Sequence, residues 1–180
     1  MSQPQARSSF VTVVAWIFIV MSGMSTLISI LQNVMINTMF PSQVLDDPSL
    51  RSAQPALPFI ASFMFEHVRL IFALVLTVSA TTLACSIGLL RRSNAARLGF
   101  IGLMGLGIAW NVFGLYLQYS MFASFPLTMP EPNAEMAQFE TFRNVILAIS
   151  AVFALAVSSL FAWIGAKLLS AKIAAEFQAP

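Results

Sequence analysis

Two acid–base pairs share one spacing. Glu66 stands three residues before Arg69, Glu140 three before Arg143, and both lie within the pattern Phe-Glu-x-x-Arg. Positions i and i+3 are neighbours on a helix, so each pair is worth a few tenths of a kcal/mol at roughly that spacing. An acid near a helix amino end is also favoured by the dipole. In structural terms, both pairs fix the depth of a helix at a membrane surface. In chemical terms, they face each other and hold a polar solute.

His67 is the single histidine, and eight of the ten methionines (Met21, Met24, Met35, Met39, Met64, Met121, Met129, Met136) fall near one side of the expected membrane arrangement. Thioethers suit Cu(I), so Met64 and His67 with Met35, Met39 and Met121 form a weak candidate metal set. Methionine equally fills irregular gaps between helices. One histidine excludes bis-histidine haem ligation, and the lone Cys85 excludes an intrachain disulfide. H-E-x-x-H, G-x-S-x-G, a phosphate-binding glycine loop and an acid cluster within a span are all missing. No cofactor is indicated, and the balance leans away from an enzyme. A formal charge of +2 over 180 residues gives no reason to expect nucleic acid as a partner.

The remaining polar candidates lie inside apolar stretches. Ser22, Ser25, Ser29 and Gln32 fall on one helical face, as do Met104, Gly107, Asn111, Gly114, Gln118 and Met121. Amides in hydrocarbon are costly without partners, so both stripes should face an interior. There they bond between helices, or line a cavity at Gln32, Asn111 and Gln118 for a small ligand or lipid headgroup. Small residues at four-residue spacing (Ala80, Ala84 and Gly88; Ala154, Ser158, Ala162 and Ala166) predict seams of close helix approach, preferentially within the chain.

Four elements must position these residues. The chain is 58% hydrophobic and 9% charged, with a mean hydropathy of +0.84. A soluble domain carries roughly a quarter charged residues, so the solvent here is lipid. A bilayer core of about 30 Å needs about 20 helical residues. Charge-free spans fit at 10–31, 70–90, 98–118 and 145–166. The first is too long for a signal peptide and reads as a retained span. Starting the second at Leu57 would bury Glu66, His67 and Arg69, which favours the later start. Proline-rich outer loops lie at about 41–58 and 126–139, and a tight turn at 91–97. Apolar residues continue past the first and third spans, so those helices should run a turn or two further.

Arg7, Arg91, Arg92, Arg97, Lys167 and Lys172 fall on one side, and Arg51, Arg69 and Arg143 on the other. Six against three makes the first side cytoplasmic, with both termini inside. Leu31-Gln32, Met35 and Phe40-Pro41 recur as Leu117-Gln118, Met121 and Phe125-Pro126, and the two Phe-Glu-x-x-Arg motifs recur at span starts. Two tandem two-helix repeats in parallel orientation would explain this. Shared apolar composition would also produce chance matches.

The sequence thus predicts an all-α integral membrane protein: one four-helix transmembrane bundle over 1–180, with both termini in the cytoplasm of a bacterial-type inner membrane. The bilayer is one partner, and another membrane protein or a second copy is the other candidate. A non-enzymatic accessory or packing subunit fits best. A solute or lipid binding or transport protein is the alternative, and a copper protein or membrane-embedded enzyme a further one.

Overall fold

The structure, a computed structural model, describes residues 8–39, 63, 66–124 and 134–177, the side chains of 39, 124 and 134–137 excepted. Five helices follow one another: α1 Ser9–Met39, α2 Val68–Leu90, α3 Asn94–Ser124, α4 Ala134–Leu169 and the short α5 Ala171–Ala175. No strand occurs among the described residues. The first four helices are long and apolar enough to cross a membrane. At 31 residues each, α1 and α3 reach about 46 Å. The expected extensions past Leu31 and Gln118 are therefore present, whereas the expected outer loop at 126–139 is corrected at its end, where α4 is already helical from Ala134.

By packing, the chain divides into two compact units, Met1–Leu103 with Ala166–Pro180, and Met104–Gly165. The division cuts α3 and α4 and does not fall between the proposed sequence repeats. Several of the repeat's residues, Phe40-Pro41, Phe65 and Phe125-Pro126 among them, lie outside the described residues.

In the first unit α1 packs along α2. The buried residues of α1 include Ala15, Ser22, Ser29 and Ile36, and those of α2 include Ser79 and Ser86. Each set repeats every seven residues, the period that keeps a seam in contact as two helices supercoil. This corrects two members of the expected seam on α2, while the third, Gly88, does approach another helix closely, at Ala96 of α3. Ala80 and Ala84 are exposed, because a four-residue repeat drifts off the contact line that Ser79 and Ser86 keep. On α4, Ala154 is buried but Ala162 and Ala166 are exposed, so that stripe does not close as an internal seam either. Ser25 is likewise exposed, leaving Ser22 and Ser29 as the buried members of the α1 stripe.

The seam serines do not bond across it. Ser22 Oγ donates to Phe18 O, Ser86 Oγ to Thr82 O at 2.7 Å, and Ser79 Oγ to Leu76 O at 3.0 Å, all within their own helices. Their role is small size with a polarity already satisfied locally. Asn33 does cross: its Nδ2 donates to Ser29 O at 2.8 Å and to Phe72 O on α2 at 3.1 Å.

The α2–α3 reversal is tight. Arg92 N–H donates to Leu89 O and Ser93 N–H to Gly88 O, the paired bonds of a Schellman closure. That closure needs a left-handed residue at Arg92, whose φ is 56°. Glycine is the usual occupant, and an arginine here holds strained backbone. Ser93 O then accepts the N–H of Arg97, opening α3. Beyond the turn, a Cβ at Gly88 would collide with Ala96 Cβ, and one at Gly99 would lie 3.0 Å from Cys85 Sγ. Phe100, fully buried, meets Phe18 of α1 edge-to-face at 4.8 Å.

Candidate functional site

In the second unit α3 and α4 frame a groove of about 350 Å³. Gly107 lies so close to the Phe161 ring that a Cβ there would overlap it. Counting forward on α3 and back on α4 from that contact sets Gly114 opposite Ala154 and Gln118 opposite Ser150. All four line the groove with Asn111, Leu115, Trp110, Ile149 and Phe153. The small residues make its floor, Ala154 being buried. Trp110, Ile149 and Phe153 stand at its rim, each more than 60% exposed. The arrangement is an open trough with three polar groups in an apolar surface.

Among the described residues, Asn111, Gln118 and Ser150 form no side-chain hydrogen bond. This differs from the interhelical pairing that the stripe suggests. Gly114 and Ala154 are the small residues between the two helices here. Asn111 and Gln118 come together in one concavity. Gln32 is half-buried in the first unit, and Met121 is exposed.

The other sequence candidates lie elsewhere. Glu66 and Arg69 are exposed beside the start of α2. Glu140 is exposed and Arg143 half-exposed on α4, where Arg143 Nε donates to Asn144 Oδ1 at 3.4 Å. Glu140 and Arg143 form no ion pair with each other among the described residues. His67 is the N-cap residue of α2. Its Nδ1 lies 3.1 Å from Phe63 O. Its ring stacks on Phe63 with centroids 4.4 Å apart. Met64 and the side chain of Met39 lie outside the described residues, and Met35 is about half exposed. No cluster of three His, Cys, Asp or Glu residues is found among the described residues.

A second polar assembly, in the first unit, is absent from the sequence candidates. Arg92 Nη1 donates to Glu176 Oε2 at 2.5 Å, and Arg92 Nη2 to Ser8 O at 3.3 Å. The Ser8 N–H donates to the same Glu176 oxygen at 3.2 Å. The guanidinium carbons of Arg92 and Arg97 each lie 5.6 Å from the Phe177 ring centroid. The cluster thus ties the start of α1, the α2–α3 turn and the segment after α5. One signal in the sequence points to it: Glu176 is the single acid on the arginine-rich side.

Fold and groove define an all-helical protein with four candidate membrane spans. No protein-family model, curated protein or solved structure matches the chain.

Proposed function

We propose that this is a non-enzymatic accessory or packing subunit of a membrane assembly, whose α3–α4 groove receives an apolar helix of a partner or of a second copy. The observation that carries the reading is the trough itself. Among the described residues Asn111, Gln118 and Ser150 form no side-chain hydrogen bond, on a surface otherwise suited to lipid. Lipid tails cannot satisfy amides, whereas a neighbouring helix with a polar side chain can, at about 0.6 kcal/mol per bond. The rest of α4 agrees: only 6% of its most apolar window is buried, leaving a long apolar face for packing.

The excess of lysine and arginine on the side of residues 91–97 supports an inner membrane of bacterial type with both termini cytoplasmic. The bonds joining Ser8, Arg92 and Glu176 support the same side for the start of α1, the 91–97 turn and the segment after α5. The repeated Phe-Glu-x-x-Arg motif supports two parallel two-helix repeats.

A second reading takes the same groove as a binding site for a lipid or small solute, since about 350 Å³ is within the range of ligand pockets. Native mass spectrometry of gently solubilised protein separates the two. The accessory reading expects a co-purifying protein or second copy that is lost with Asn111→Leu plus Gln118→Leu. A small-molecule or lipid adduct lost in the same variant supports the second reading. A bare monomer before and after substitution defeats both.

A further inference from the structure

Arg97 is 8% exposed, and its Nε and Nη1 are shut off from solvent without a hydrogen-bond partner among the described residues. A buried guanidinium without an acceptor is unfavourable. Its position in the first turn of α3 adds to the cost, because the helix dipole disfavours a cation there and favours an anion. The acid of this cluster does not relieve it. Glu176 Oε2 is taken by Arg92 Nη1 and the Ser8 N–H. Two guanidiniums therefore lie over one ring, Phe177, and among the described residues the carboxylate bonds to Arg92 and not to Arg97, leaving the Arg97 charge without an anionic partner.

We propose that Arg97 binds an oxyanion of the phosphate class: the phosphodiester headgroup of an anionic lipid, or free phosphate. A guanidinium is weakly hydrated and presents planar donors that match phosphate oxygens. Basic groups adjoining a membrane span are placed for anionic headgroups. Phe177, itself buried, is the cover that moves aside on entry, and Glu176 competes with the ligand for Arg92. This site is independent of the α3–α4 groove and of the accessory reading.

The test uses the full chain in a neutral detergent. It is titrated with phosphatidylglycerol, with phosphatidylcholine as control and with inorganic phosphate as the free anion. Retained lipid is read by native mass spectrometry and stability by thermal melting. Phosphatidylglycerol is expected to be retained and to stabilise more than phosphatidylcholine. Arg97→Gln should weaken retention by about tenfold or more, the scale of one charge-assisted hydrogen bond. Lys172→Gln, at an exposed position, should leave it unchanged. Stabilisation by inorganic phosphate without lipid retention, if lost in Arg97→Gln, assigns the site to a soluble phosphate. Equal lipid and phosphate responses in wild type and Arg97→Gln overturn the proposal, as does no response in the wild type. Should Arg97→Gln fail to fold, Phe177→Ala decides: faster anion exchange supports the site, and unchanged exchange overturns it.

Discussion

Arg92 and Glu176 meet at 2.5 Å although 84 residues separate them in sequence. Both side chains are mostly buried, at 19% and 12% exposure. Removing one partner then strands the other charge, at a cost of several kcal/mol for a fully buried pair and less for a partly exposed one. Arg92→Gln and Glu176→Gln should each lower stability by about 1–3 kcal/mol. The double variant should fall well short of the sum. Denaturant unfolding in micelles measures all three, and strict additivity would show that the pair carries no coupling.

Arg92 also occupies the left-handed position of the turn, with φ at 56°. Arg92→Ala and Arg92→Gly both delete the ion pair, but only glycine relieves the backbone. The glycine variant should be the more stable of the two by about 1 kcal/mol. Equal melting points would remove the argument for strain.

Glycine replacements should sort by what the added carbon meets. Gly88→Ala drives Cβ into Ala96 Cβ, two rigid groups on facing helices, and should cost about 1–3 kcal/mol. Gly107→Ala meets the edge of the Phe161 ring, which can rotate, so the loss should be smaller. Gly102→Ala and Gly105→Ala meet nothing within 4 Å and should be neutral, or stabilising by up to about 1 kcal/mol. Thermal melts of the four variants test the order.

The seam serines make a sharper case. Ser86 is fully buried and its hydroxyl is satisfied by Thr82 O. Ser86→Ala should therefore shift stability by no more than about 0.5 kcal/mol, whereas Ser86→Leu should separate α1 from α2 and cost about 1–3 kcal/mol or more. A large loss in the alanine variant, seen by chemical unfolding, would mean that the hydroxyl bonds across the seam.

The four long helices are legible in the sequence because charge-free runs of about 20 residues suit a membrane span and little else, but the early start of α4 at Ala134 is not, since that stretch carries acids and follows prolines and reads as loop. The start of α2 beside Glu66 and His67 is legible because drawing those groups into the hydrocarbon is costly. That Asn111 and Gln118 line one groove is also legible, since a heptad-related pair on one helix shares a face. The seam on α2 is not legible in the same way. Alanines at four-residue spacing look as suitable as serines at seven, and the choice depends on how the helices coil about each other, which composition does not report. Apart from the lone acid Glu176, the Arg92–Glu176 cluster leaves no mark in the sequence, for a different reason. It joins three segments far apart in the chain, and each alone resembles an ordinary basic flank of a span.

The bond from the Ser8 N–H to Glu176 has a practical corollary. Ser8, just ahead of α1, and Glu176, just after α5, both lie within a few ångströms of the Arg92 side chain. Fluorophores grafted at the two positions will transfer energy efficiently, and a short peptide can join them into a circular permutant reopened elsewhere.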